Sequence, residues 1–173
     1  MKLLRILLLL LFVGCSKTPQ KDVFELARHG SVIEIEKLIN ENPAMLHKKN
    51  KSGFTPLILA SYNGNKEVVS FLVERGAKIN ELSDMGTALM AATYKGNNDI
   101  VKILINKDAN VNITDFNNTS ALHYACFFQN KELVRLFVKK QANITLKDNK
   151  GKTPLDYAID YNNIEIIQIL QTK

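Results

Sequence analysis

Two cysteines, three histidines and one Gly-Lys-Thr triplet are the residues of this chain whose types and spacing could carry chemistry. Gly151-Lys152-Thr153 has the ending of a phosphate-binding loop, in which backbone N–H groups cradle a phosphate and the lysine meets its charge. That loop requires a glycine where Leu146 stands, so the cradle is incomplete. His29, His47 and His123 are scattered, and no Cys, His or carboxylate grouping has the spacing of a metal site. No Ser, Cys or His pattern pairs a nucleophile with a base. Catalysis, a metal, a cofactor and a small-molecule substrate are therefore not expected.

Cys15 differs because of what precedes it. Lys2 and Arg5 lead into an apolar run from Ile6 to Val13, followed by Gly14-Cys15-Ser16. A basic start, a short apolar stretch and a small residue describe a secretory signal. The run is far shorter than the about 20 apolar residues that span a bilayer. Phe12-Val13-Gly14-Cys15 resembles the bacterial lipobox, in which the chain is cut before a lipid-modified cysteine, although Leu is usual where Phe12 stands. An ordinary signal peptide with an incidental cysteine is the alternative. The resemblance implies a signal peptide over 1–14, lipidation of Cys15, a tether over 15–21 and a membrane contact made through the lipid. Location would be the bacterial cell envelope, periplasm-facing or at the outer membrane. Cys126 would then be alone in the mature chain, without a disulfide partner, at a position where a buried inert thiol is expected.

The elements that position these residues are set by repetition. Thr55-Pro56-Leu57, Thr87-Ala88-Leu89, Ser120-Ala121-Leu122 and Thr153-Pro154-Leu155 recur at steps of 32, 33 and 33 residues. Thr or Ser can cap a helix start, and Pro56 and Pro154 fall in a first turn, where no donor is lost. Ser31, Asn65, Asn97, Asn130 and Asn163 stand at one register position as caps of second helices, and Ser31/Glu34 and Asp22/Glu25 fit capping boxes. Val68-Val69-Phe71-Leu72, Ile100-Val101-Ile103-Leu104 and Leu133-Val134-Leu136-Phe137 follow helical spacing and predict a continuous core. Ala60, Ala92, Ala125 and Ala158 are small where helices approach closely.

This pattern resembles the ankyrin repeat over about residues 22–173, with Ser120-Ala121-Leu122-His123-Tyr124-Ala125 close to its Thr-Pro-Leu-His-x-Ala signature. The resemblance implies an all-α ankyrin solenoid of about five stacked helix-turn-helix units with β-hairpin-like turns. The units are about 22–50, 51–83, 84–116, 117–149 and 150–173. His123 would bond nearby turn backbone. Gly76 meets the family's preference for positive φ after the second helix, whereas Asp108 and Gln141 replace it. The connection before Met85 reads as one residue short, and Asn42-Pro43 lengthens the first one.

Such stacks bind partners, and the resemblance places their contacts on the concave face of the first helices and on the hairpin tips. In this register Tyr62, Tyr94 and Phe127 share one helical position, Asn63, Lys95, Phe128 and Tyr161 the next, and Phe54 and Phe116 lie in turns. These are the candidate partner-binding residues; the alternative is that the rings pack between units and hold the stack together. The expected function is non-enzymatic docking of a protein partner at the envelope. An immunity protein against a periplasm-acting toxin and a scaffold for an envelope or stress-response enzyme are the two specific versions. An enzyme acting on envelope lipid or peptidoglycan is disfavoured by the missing catalytic cluster. The formal charge of +6, two units of it from Lys2 and Arg5, is spread over the chain and does not suggest nucleic acid.

Overall fold

The computed structural model describes residues 22–172; Cys15 and the leader and tether expected over 1–21 lie outside them. Among the described residues, ten α-helices form five consecutive pairs: α1 (Val23–His29) with α2 (Val32–Glu41), α3 (Pro56–Asn63) with α4 (Lys66–Glu74), and α5 (Ala88–Tyr94) with α6 (Asn98–Asn106). The last pairs are α7 (Ala121–Phe127) with α8 (Lys131–Lys139) and α9 (Pro154–Asp160) with α10 (Ile164–Gln171). First helices contact first helices from α1 to α9, and second helices contact second helices from α2 to α10. The result is two parallel rows. No described helix is long and apolar enough to cross a membrane.

The short helices are held by their ends. Thr55 and Thr153 cap the α3 and α9 starts by accepting the backbone N–H of Ile58 and Asp156, with Pro56 and Pro154 in the first turn. Ser31 and Glu34 form the expected capping box, and Asp22 accepts the N–H of Glu25. Asn65, Asn130 and Asn163 accept from Val68, Leu133 and Ile166, so each Oδ1 closes its own helix. Their Nδ2 atoms reach backwards. Asn65 donates to Gly30 O at 2.9 Å, and Asn97 to Ser61 O at 2.9 Å. Asn130 donates to Asn98 Oδ1 at 2.8 Å, and Asn163 to Gln129 Oε1 at 3.4 Å. Asn97 makes no cap bond, so three of these asparagines close their own helix start, while all four tie their helix to the preceding unit.

The core is continuous between the rows. Ala60, Ala92, Ala125 and Ala158 are all fully buried, as are Val68, Val69, Leu72, Leu104, Leu133, Val134 and Phe137. Leu122 and Cys126 are sealed under the fifth unit, but their equivalents Leu155 and Ile159 are half-buried and 53% exposed. Asn42 and Pro43 open a short 3-10 turn over Pro43–His47 that fills the lengthened first connection.

The turns between units show where the third one is short. A polar side chain anchors each hairpin: Asn50 Oδ1 accepts from the N–H groups of Ser52 and Phe54, Asp115 Oδ1 from Asn117 and Thr119, and Asp148 Oδ1 from Lys150 and Lys152. In the third unit Ser83 substitutes, its Oγ accepting from Met85 N and donating to Gly86 O. The left-handed residue three places after each anchor is Gly53, Gly86, Asn118 and Gly151. One residue follows it before the helix cap in the other units, but Gly86 abuts Thr87 directly. The missing residue is therefore after Gly86, not before Met85. Ser83 keeps the anchor step intact while the exit is shortened.

Candidate functional site

The first-helix row carries a line of rings along one face. Tyr62 and Tyr94 stack with centroids 6.3 Å apart, and Tyr94 meets Tyr124 at 5.7 Å and Phe128 at 5.1 Å edge-on. Phe127 continues the line to Phe128 at 5.0 Å, Tyr157 at 5.8 Å and Tyr161 at 5.6 Å. Edge-to-face geometry at these separations is favourable in itself, by about 0.5–1.5 kcal/mol per pair. Yet Tyr94, Phe127, Phe128 and Tyr161 remain 41–44% exposed, while Tyr62 is half-buried. The rings pack on one another across units and still present free surface.

Beneath them run three hollows that share walls. The first, ≈ 240 Å³, is lined by Arg28, Phe54, Tyr62, Asn63 and Met85 among others. The second, ≈ 180 Å³, takes Met85 and Ala91 from the first and adds Asp84, Met90, Tyr94 and Asn117. The largest, ≈ 470 Å³, shares Tyr94, Asn117 and Tyr124 with the second and is closed by Phe127, Phe128 and Tyr157. Together they form one groove across the stack. Lys95 stands beside it with Nζ 5.1 Å from the Tyr62 ring centre. Asn63 turns its amide onto Leu59 O at 2.8 Å. Phe116 is 70% exposed on its hairpin and lines none of the hollows, so it lies apart from the other candidates.

The floor of the largest hollow is polar, and its buried groups are bonded within the fold. The Ser120 backbone N–H, which can only donate, lies 3.1 Å from His123 Nδ1, so that nitrogen accepts and the ring proton sits on Nε2. Nε2 faces Leu146 O at 3.1 Å and Lys152 O at 3.3 Å, bolting the fourth unit to the turn of the fifth. Burial holds the His123 pKa below the ordinary histidine value. Asp148 Oδ2 accepts from the Tyr157 hydroxyl at 2.5 Å, and Asp115 Oδ2 from Tyr124 at 2.7 Å. Burial pushes the Asp148 carboxyl up, but the Tyr157 hydroxyl and the backbone N–H groups of Lys152 and Lys150 outweigh it and leave the group below its usual value. Burial and the same bond push the Tyr157 phenol up to about 12. Cys126 is wholly buried and its thiol is pushed up to about 12, which makes it a packing group with no thiolate to offer.

Three ankyrin-repeat copies match the chain by family profile, over residues 6–115 and 89–173. The chain belongs to the ankyrin-repeat family. Its fold is the family's all-α solenoid, a scaffold typically used for binding partners rather than for catalysis. Over 53 residues it is 42% identical to the Protein fem-1 homolog A-like of Mus musculus, covering 30% of this chain and 8% of that protein. Over 68 residues it is 40% identical to Oxysterol-binding protein-related protein 1 of Homo sapiens, covering 34% of this chain and 7% of the relative. A 28% match over 64 residues joins it to the NAD-capped RNA hydrolase NUDT12 of Pongo abelii, across 35% of this chain and 14% of that protein. The chain thus spans only a small part of the length of each relative, and the likeness is one of repeats.

Sequence reasoning missed Tyr124, Tyr157, Asp115 and Asp148 as parts of this ankyrin groove. Their signal was present: each Tyr follows its Asp by nine residues, and the two pairs are one repeat apart. Met85, Asn117 and Lys150 were missed because hairpin residues show no helical period.

Proposed function

We propose that this ankyrin stack docks a protein partner in its concave groove, while an acylated Cys15 holds it at a bacterial envelope membrane. The observation behind the docking reading is the line of rings from Tyr62 to Tyr161, contiguous across units and partly uncovered. Aromatic side chains give large contact area at little entropic cost and commonly anchor interfaces. A stack already ordered before binding limits the ordering cost of association. The anchoring half rests on Lys2, Arg5, the apolar run and Gly14-Cys15 in the sequence. A tether of Ser16 to Lys21 reaches about 20 Å at most, which keeps the groove near the lipid surface.

The test has two arms in producing bacteria. Labelling with an alkyne fatty acid should mark the wild-type chain and not Cys15→Ala. Cross-linking in intact cells should trap one protein on the wild type that is lost in a folded Tyr94→Ser/Phe127→Ser variant. Labelling that survives Cys15→Ala would overturn the anchor, and a cross-link that survives the double substitution would overturn the groove. A cross-linked partner made by the same cell fits a scaffold, whereas an immunity role requires the partner to be a toxin.

A further inference from the structure

Resting on the docking reading above, we propose that the middle hollow of the groove takes a basic side chain, arginine or lysine, from the protein partner. Charge is the first reason. The charged residues lining this hollow are Asp84 and Asp115, both acidic. Arg28 and Lys150 line the outer hollows and Lys95 stands at the Tyr62 ring, so no cation of the described residues lines the middle one. Asp84 is exposed, and its carboxylate joins no hydrogen bond or ion pair among the described residues. Asp115 is buried: Oδ1 accepts the N–H groups of Asn117 and Thr119, while Oδ2 accepts only the Tyr124 hydroxyl. A carboxylate can accept about four hydrogen bonds, so Asp115 Oδ2 keeps one acceptor site. Two carboxylates with bonding capacity left over attract a cation and repel an acid.

The rings are the second, independent reason. Lys95 Nζ lies 5.1 Å from the centre of the Tyr62 ring, and Lys152 Nζ 5.5 Å from that of Tyr157. Tyr94 and Tyr124 come between those two in the line and wall the middle hollow, and neither has a cation of the described residues over its ring. The ring line thus carries a lysine of the chain towards each end, and carboxylates in place of a lysine in the middle. Aromatic rings beside carboxylates suit a guanidinium well, because its plane lies on a ring while its edge donates to oxygen. At ≈ 180 Å³ the hollow admits the end of one long side chain. The largest hollow shares Tyr94 and Tyr124 with it, so an apolar neighbour of the basic residue meets Phe127, Phe128 and Tyr157.

The chain carries its own reporters: Met85 and Met90 line the hollow, whereas Met45 lies in the first connection. The test follows the methionine methyl signals of the full-length chain by NMR, in mild detergent at low salt. Acetyl-Phe-Arg-amide, acetyl-Phe-citrulline-amide and acetyl-Phe-Glu-amide are titrated in turn. The Arg peptide should shift Met85 and Met90 saturably and leave Met45 in place. It should bind about threefold to tenfold more tightly than the citrulline peptide, which keeps the shape without the charge. Asp84→Asn should shrink that advantage and Asp84→Lys should shrink it further, neither lowering the melting temperature. Equal binding of the Arg and citrulline peptides, tighter binding of the Glu peptide, or an advantage unmoved by Asp84→Lys overturns the basic site and leaves the docking reading standing. Shifts of Met45 alone, or no shift with any probe, overturn it as well. The docking reading is judged separately, and falls if the cellular cross-link survives Tyr94→Ser/Phe127→Ser.

Discussion

The Tyr157 hydroxyl donates to Asp148 Oδ2 at 2.5 Å, across the nine residues that separate the fifth hairpin from the middle of α9. Tyr124 and Asp115 repeat the bond one unit earlier at 2.7 Å. Each pair fixes a hairpin finger to the helix behind it, and each finger carries a rim residue of the groove. The carboxylate has one oxygen for the turn and one for the ring. Both are engaged within the fold.

Tyr157→Phe should leave Asp148 Oδ2 without its donor and cost about 1.5–3 kcal/mol, the range for losing a hydrogen bond to a charged group. Denaturant unfolding measures it. Tyr157→Phe combined with Asp148→Asn should cost less than the two single changes added together, because the bond is lost only once.

His123 makes stability depend on pH. Burial lowers its folded pKa below the unfolded value, so the native state prefers the neutral ring and the unfolded state binds more protons. The contribution is fully present above the unfolded pKa of about 6.5 and is lost as pH falls from there towards the folded value. Melting temperature should be flat above that point and decline below it, with a shallower decline in His123→Gln. A wild-type profile that stays level from neutral pH down to the carboxylate range would contradict this.

Asn65 separates capping from stapling. Asn65→Asp retains an oxygen for the Val68 N–H but loses the amide donated to Gly30 O. As a cap Asp equals Asn, so a purely local role predicts no loss. The staple predicts that Asn65→Asp costs about 1 kcal/mol, about half of what Asn65→Ala costs, since alanine loses the cap as well. Thermal melts of both variants beside the wild type decide between them.

Asp108 and Gln141 hold φ of 62° and 59° at the position that Gly76 fills with φ 86°. A side chain in left-handed backbone is strained by roughly 1–2 kcal/mol, and glycine returns part of the gain as unfolded-state entropy. Gln141→Gly should therefore stabilise the chain by about 0.5 kcal/mol, seen as a higher denaturant midpoint at unchanged slope.

The architecture was legible because its signals are local and recur. In units two to five, Thr or Ser before the first helix, Asn before the second and a buried Ala between rows each act within a few residues, so 32- and 33-residue steps expose them. The rings at 62, 94, 127 and 128 could be placed side by side for the same reason. The Tyr–Asp bonds could not, because they join a turn to a helix and are visible only once the hairpin folds back. Gap position was equally hidden: Ser83 does with a hydroxyl what Asn50, Asp115 and Asp148 do with an Asx side chain, so residue identity did not reveal the register. Phe116 shares a turn with groove residues but faces solvent, a distinction that spacing does not carry.

Leu155 and Ile159 are left partly open where Leu122 and Cys126 are sealed. In a stack whose layers are coupled only to their neighbours, a layer covered on one face opens more often than one covered on both. That layer supplies Tyr157, and its hairpin supplies Asp148 and Lys150, one whole side of the largest hollow. The groove therefore has a stiff jaw and a yielding jaw. Amide exchange should be faster along α9 and α10 than along α7 and α8, and a guest clasped there would slow it, so occupancy of the groove would register as tightening of the fifth unit.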